Sequence, residues 1–454
     1  MVSVRHASVV GSKASLLDRV LALEARRFGT SLLSNGTPLP SRADASFAAD
    51  VAIDLTGAAS FDDAPVLQLE FNGQPNLARG VAAMLARQAQ IELRIRHNGS
   101  VVGRARPMIG DRVWLSRFGD DVLAGAIALV EQTLARFEAG ALRPLADASA
   151  GPASEAPGFL HHYVPFLARG LGARLAHKLS SGRKPFYWQV AYRLIDGPGV
   201  ADTGALDGPA FTVLPDDGER FYADPFPFEH QGRRFLFVEE FPFATAKGVI
   251  AVAELGADGS LDRPRIVLEE PHHLSYPQIF RQEDEIYMLP ESSAAHELVL
   301  YRAAQFPDRW VRDTVLIANR NINDATLLQE GGQFWLIATE RFGHGSSSDK
   351  MVAYAASDLR GPWQPHALNP IAIDHSAARP GGMFIRKGDQ MLLPVQNGSA
   401  NYGGGLGLMG LERIDADAVV FSSPKPIGPG PAWAKAGIHT LNRVGALEAV
   451  DSAG

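Results

Sequence analysis

From about residue 186 onward, apolar residues come in short runs broken by Gly, Pro, Asp and Asn roughly every ten positions, and aromatic residues concentrate in the runs. That spacing predicts short β-strands joined by tight turns, as in a sandwich, barrel or propeller. The stretch from Phe221 to Ile250, FYADPFPFEHQGRRFLFVEEFPFATAKGVI, gives the unit. An Asp-Pro pair leads into an aromatic strand, Phe226 to Phe228. A turn at His230–Gly232 follows, and then a second strand, Phe235 to Val238, which runs into Glu239 and Glu240. Pro225 and Pro277 lie 52 residues apart, each followed by a strand ending in Phe. Second strands recur as FLFVEE, IYMLPE, FWLIATE and MLLPVQ, and third strands as VIAVAEL, LVLYRA, MVAYAAS and GLGLMGL. FPDRW and LRGPW place Trp310 and Trp363 as closing markers of two repeats. Four repeats therefore span 221–413, and a fifth can be assembled from FYWQVAYRL (186–194) and the tail. Joining both ends of the chain in one sheet hides open edges, so the pattern predicts a five-bladed propeller.

Upstream the period changes. Leu16–Phe28 has apolar residues at helical spacing with arginines opposite, and Asp120–Phe137 reads as a long amphipathic helix. Asp50–Leu55, Pro65–Phe71 and Ile91–His97 read as strands, and Gly80–Ala89 as a helix. The order strand–DLTG–strand–FNGQPN–helix resembles the amino-terminal fold of formyltransferases that use formyl-tetrahydrofolate. Asn72 matches that motif's Asn, whereas Gln74 stands where its His would be, which implies the scaffold without the chemistry. Residues 139–157 have the Ala, Gly, Ser and Pro content of a linker. Leu160–Leu179 follows as a helix carrying Arg169, Arg174 and Lys178. A connecting helix is favoured over a membrane-surface one, because Gly170 and Gly172 weaken it.

The expected fold is therefore multidomain. An α/β, Rossmann-like, formyltransferase-like domain occupies 1–140, a linker and connecting helix 141–185, and an all-β five-bladed propeller 186–454. A net charge of −7 over 454 residues argues against a nucleic-acid partner. With no cysteine, disulfides and thiolate metal sites are excluded, and a reducing, cytoplasmic setting fits. The first twenty residues lack the apolar run of a secretion signal.

In a propeller the first strand of each blade lines the centre. Asp224, Tyr276, Asp324 and Arg379 stand at its start in successive repeats, and Glu240, Glu291, Glu340 (register open by one) and Gln396 end the second strands. Glycoside cleavage needs one protonated and one ionised carboxyl. Asp224 is the candidate base and Glu291 the candidate acid, desolvated by Leu289 and Pro290, while Asp324 orients substrate or tunes the acid. Tyr222, Glu240, Tyr276, Arg379, Gln396, Tyr402 and His439 are candidate sugar contacts, with Trp188 or Tyr222 stacking on a ring. The bland reading of each acid is a turn acceptor or an inter-blade ion pair. Gly403-Gly404-Gly405 lacks a Walker pattern, and His272-His273 and His439 lack metal-site spacing, so neither cofactor nor metal is expected.

The strings YADPFPF, HHLSYPQIF, IYMLPES, NDATL, ARPGGMFI, QNGSANYGGGL and GIHTLN resemble the amino-terminal domain of plant glucosamine inositolphosphorylceramide transferases and their bacterial relatives. That domain is similar in turn to five-bladed arabinanase and invertase-like hydrolases, which implies a base or nucleophile role for Asp224 through its Asp-Pro context. No Glu-Gly-Pro or Arg-Asp-Pro string is present, so the resemblance implies no acid. The functional expectation is a carbohydrate-active protein of cell-surface glycan or glycolipid metabolism, a glycoside hydrolase or glycosyl transferase. Its partner would be a glycan, glycolipid or nucleotide-sugar ligand. The alternatives are a non-catalytic glycan-binding or assembly module that docks a protein through the amino-terminal domain, and a sugar N-formyltransferase-like protein.

Overall fold

The computed structural model describes residues 16–29, 50–55, 64–75, 85, 91–111, 113–146, 159–180, 187–342, 345–399, 403–435 and 437–453. The chain forms two compact units, one built mainly from residues 1–182 and the other from 183–342 and 347–454.

In the first unit the expected elements appear as α1 (Leu16–Phe28), β1 (Ala52–Asp54), β2 (Val66–Phe71), β3 (Leu93–His97), α2 (Leu115–Glu138) and α3 (Phe159–Ser180), and the structure adds a strand not expected from the sequence, β4 (Ser100–Ala105). The sheet order is β1-β2-β3-β4, with β1 and β2 parallel and the other pairs antiparallel. Asn98-Gly99 makes the β3–β4 hairpin, both residues in the left-handed region that such tight turns require. Leu115, Phe118, Val122, Ala126 and Leu129 recur at helical spacing and form the buried stripe of α2. Trp114 precedes α2 without a capping side chain. Glu24 of α1 supplies the cap instead, accepting the Leu115 and Ser116 backbone N–H groups at 3.1 and 2.7 Å.

These strands make one parallel pair and two antiparallel pairs, which does not by itself show a Rossmann-like or formyltransferase-like domain. The helix expected at Gly80–Ala89 lies, Leu85 apart, outside the described residues. Asn72 uses its side-chain oxygen to accept the Glu92 backbone N–H at 2.7 Å, the work of a turn residue.

The second unit is a propeller of five sheets. β5 (Trp188–Leu194) and β6 (Thr212–Val213) come first in the chain. Blade one is β7 (Arg220–His230), β8 (Arg233–Pro242), β9 (Val249–Glu254) and β10 (Arg265–Leu268). Blade two is β11 (Ser275–Gln282), β12 (Glu285–Glu291), β13 (Glu297–Gln305) and β14 (Arg309–Ala318). Blade three is β15 (Ile322–Glu330), β16 (Gln333–Glu340), β17 (Lys350–Ala356) and the short β18 (Gln364–Pro365) and β19 (Ala372–Ile373). Blade four is β20 (Ile385–Lys387), β21 (Gln390–Gln396), β22 (Leu406–Ile414), β23 (Val419–Phe421) and β24 (Lys425–Pro426). Blade five joins β25 (Thr440–Val444) and β26 (Leu447–Ala453) to β5 and β6, in the order β25-β26-β5-β6, as the sequence predicts.

Both faces of each blade are apolar because each packs on a neighbour. Phe237 and Val252 of blade one meet Ile279 and Met288 of blade two, and Leu289 and Leu300 of blade two meet Leu336 and Val352 of blade three. Trp335 and Ile337 meet Leu393 and Val395, and Leu392 and Leu408 meet Leu441 and Val450. Val190 and Ala449 of blade five then meet Leu236 and Val238 of blade one, which completes the ring. Trp310 and Trp363 are buried in two of these seams, their indole N–H groups donating to Pro307 and Leu359 carbonyls at 2.9 and 3.1 Å.

Candidate functional site

The inner strands of blades one to three share one irregularity. Their ladders slip between Ala223 and Phe226, between Ser275 and Gln278, and between Asn323 and Thr326. At each slip sits a residue in the left-handed region: Asp224, Tyr276 and Asp324, all with φ 48°. A non-glycine residue there is strained by about 1–3 kcal/mol and is held by its surroundings. Here the surroundings are carboxylates. Asp451 accepts the Asp224 backbone N–H at 2.9 Å, Asp224 accepts that of Tyr276 at 3.2 Å, and Glu291 accepts that of Asp324 at 3.2 Å. Each bulge both re-aims a side chain and fastens one blade to another.

Beside these bulges lies a cavity of about 370 Å³. Trp188, Phe221, Phe241 and Phe243 give it an aromatic wall, with the rings of Phe221 and Phe241 stacked at 4.8 Å. Asp224, Glu239 and Glu291 give it a carboxyl side, and His273, Arg379 and His439 also line it. An apolar face with a few convergent polar groups is the usual make-up of a small-molecule site.

The carboxyls are not alike. Burial pushes Glu291 up to about 8, and ionised Asp324 adds to the effect against the pull of Arg379. Glu291 keeps a donor in Ser293 Oγ at 2.8 Å and a long contact to Arg379 Nη2 at 3.4 Å. Burial also raises Asp324, but Arg379 donates to both its oxygens at 2.6 and 3.1 Å and outweighs burial, so Asp324 ends below the usual carboxylate range. Gln396 adds a third donor to Asp324 at 2.7 Å. Burial lifts Asp224, and His439, whose Nδ1 stands 3.5 Å from both Asp224 and Asp451, draws it back only in part. Asp451 ends lowered, because His439 and the hydrogen bonds from Asp224 and Thr440 outweigh its burial. The wall thus presents a carboxyl that is protonated near neutral pH beside an ionised Asp324–Arg379 pair.

Of the residues expected at the site, Asp224, Glu291, Arg379 and His439 line the cavity. Trp188 does so as well, its ring 4.6 Å from that of His439. Asp324 and Gln396 are buried and do not line the cavity: Arg379 and Gln396 both donate to Asp324. Tyr276 is fully buried, its hydroxyl held by Thr326 Oγ1 at 2.9 Å and by the Gly382 carbonyl and N–H at 3.0 and 2.7 Å, so it braces the ring instead of reaching a ligand. Tyr402 lies outside the described residues.

Tyr222 and Glu240 require correction. Tyr222 sits in the seam between blades five and one, and Glu240 is ion-paired with Arg220. The cause is register. Ala223 pairs with Glu239 as Ser275 pairs with Glu291, so Glu239 and not Glu240 is the equivalent of Glu291, and a one-residue slip reverses the face. Glu340 matches Glu240: it pairs with Arg320, also 20 positions earlier. Glu239 and Asp451 are not among the residues the sequence reading places at the site. The Pro-to-Pro offset, carried strictly through the second strands, would have found Glu239. Asp451 had no such signal.

Asp224, His439 and Asp451 present oxygen and nitrogen atoms all within 4.8 Å of one another, a grouping compatible with a metal ion.

Residues 214–422 match the family described as glucosamine inositolphosphorylceramide transferase 1, N-terminal. Glucosamine inositolphosphorylceramide transferase 1 of Oryza sativa subsp. indica is 36% identical over 228 residues, 49% of this chain and 30% of the relative. The Arabidopsis thaliana protein of the same name is 34% identical over 188 residues, 40% of this chain and 24% of the relative. The chain therefore covers less than a third of the length of these curated relatives. Among solved structures, an exo-β-1,3-galactanase from Clostridium thermocellum gives a TM-score of 0.39 at 13% identity, over 53% of this chain and 60% of that one. Zg3597, a family 117 glycoside hydrolase from Zobellia galactanivorans, gives 0.37 at 14% identity over 57% and 80%. These likenesses carry no inference about chemistry.

Proposed function

We propose that the propeller cavity binds the sugar of a glycan or glycolipid and cleaves or transfers its glycosidic bond by carboxyl acid–base chemistry. Glu291 is the acid, Asp224 the base, and Asp324 with Arg379 the pair that sets the state of Glu291. The observation that supports this most is the raised Glu291, pushed to about 8 by burial, on the same cavity wall as Asp224. A carboxyl that keeps its proton at neutral pH can hand it to a leaving oxygen, and Asp224 on the same cavity serves as the complementary base. The relatives' names, which join an amino sugar to an inositol phospholipid, agree with a glycolipid setting.

The test is turnover of a panel of aryl glycosides by the full chain, with Asp224→Asn and Glu291→Gln as variants. Loss of about 10²-fold or more in kcat from each supports the roles. Unchanged turnover ends them.

A second reading, a glycan-binding module without turnover, has its own support. Burial raises Asp224 as well as Glu291, so both carboxyls on the cavity shift in the same direction instead of apart. Sugar binding that both variants weaken, with no product formed, favours this reading.

A further inference from the structure

We propose that Glu239, with neutral His273 beside it, binds a positively charged nitrogen on the ligand, a protonated amine seated between the carboxyls and the aromatic wall. This rests on the cavity being a sugar site and adds the charge of its occupant.

The first ground is the local build around Glu239. The Gly248 backbone N–H donates to His273 Nδ1 at 2.9 Å, so that nitrogen carries a lone pair and the proton resides on Nε2. Nε2, which carries that proton, stands 3.3 Å from Glu239 Oε1. His273 is therefore a neutral neighbour of the carboxyl and does not neutralise it. Burial lowers His273, in agreement with the neutral form. Gly248 is needed for this approach. A Cβ there would lie 2.5 Å from the Leu274 carbonyl and 2.7 Å from Glu239 Oε1.

The second ground is charge balance. Asp224, Glu239 and Glu291 all face one cavity, and Asp324 and Asp451 are buried just behind it. Among the described residues lining it, Arg379 is the one permanent cation, and it is already engaged by Asp324 and Glu291. His439 stands between Asp224 and Asp451. Glu239 is left facing the cavity with a neutral partner. Burial, and then Asp224, Glu291 and Asp451, push it well above the ordinary carboxylate range, a cost that a cation in the cavity would relieve.

The third ground is the wall. Phe221, Phe241 and Phe243 bring ring faces and edges but no hydrogen-bonding atom, and Phe241 lies against His273 at 6.0 Å. Rings beside carboxyls are the chemistry that holds ammonium groups, because the ring quadrupole and the charge act together in a dry site. A neutral polyol gains hydrogen bonds and ring packing but no attraction of charge to the carboxyls and ring faces.

The experiment is calorimetric titration of the full chain, freed of metal on a chelating resin, at pH 6.5. The probes are matched pairs: protonated Tris against pentaerythritol, glucosamine against glucose, and galactosamine against galactose. The proposal expects the amine of at least one pair to bind tenfold or more tighter than its hydroxyl counterpart. It also expects Glu239→Gln to reduce that ratio to about one while the neutral member still binds. A neutral sugar that binds as well as its amine overturns the proposal and leaves the sugar site standing. No binding by any member of the three pairs overturns both. If Glu239→Gln fails to fold, the wild-type ratios decide alone, and a ratio near one in every pair is the refuting result.

Discussion

Asp451 accepts the backbone N–H of Asp224 at 2.9 Å across 227 positions of sequence, so the strand that closes the ring also holds the candidate base. The same carboxylate takes the Thr440 N–H and hydroxyl, both at 2.8 Å. Ring closure and site geometry therefore stand on one side chain. Asp451→Ala is expected to lower unfolding stability by about 3 kcal/mol, because it removes a buried, multiply bonded charge and leaves His439 and the Asp224 N–H without it. Urea unfolding followed by tryptophan fluorescence checks this, and a loss under about 1 kcal/mol would contradict it.

Glu291 gives a pH prediction with a definite sign. Its pKa is about 8 in the fold against 4.5 for an ordinary glutamate, so between those values the native state holds a proton that the unfolded chain releases. Stability contributed by this group is present in full below about pH 4.5 and is lost as pH rises toward 8. Glu291→Gln should flatten that part of the stability profile. If Glu291 is the acid, activity also falls above about pH 8, where the proton is gone. Thermal melts from pH 5 to 9 test the first claim without any substrate.

Glu240 and Glu239 should separate cleanly. Glu240→Gln breaks a buried pair with Arg220 and is expected to cost about 1–3 kcal/mol of stability with ligand affinity unchanged. Glu239→Gln is expected to do the reverse. Melting temperature and binding constant, measured on both variants, would expose a wrong register if the effects were exchanged.

Tyr276→Phe should cost about 1–3 kcal/mol, because the Gly382 N–H loses its buried acceptor. Ligand preference should not move, since Tyr276 braces the ring axis and does not face the cavity. A changed preference with an unchanged melting temperature would place Tyr276 in the site after all.

Much of the propeller was legible in the order of residues. Strand lengths, the 52-residue offset, the tryptophan markers and the two-ended fifth blade follow from apolar periodicity and turn chemistry, which act locally and leave a trace in sequence. Asp224, Glu291 and Arg379 were legible as well, because a repeated scaffold makes unlike residues at like positions stand out. The face of Glu239 against Glu240 was not. A strand alternates every residue, and a β-bulge shifts the count by one, so only the pairing of Ala223 with Glu239 decides which carboxyl meets the cavity. Partnerships across the ring were also beyond the sequence: Arg379 with Asp324, His439 between Asp224 and Asp451, and His273 on Glu239. They join residues brought close by closure of the whole ring, and the pKa differences among the carboxyls arise from that closure, since burial and neighbouring charge exist only once the blades have met.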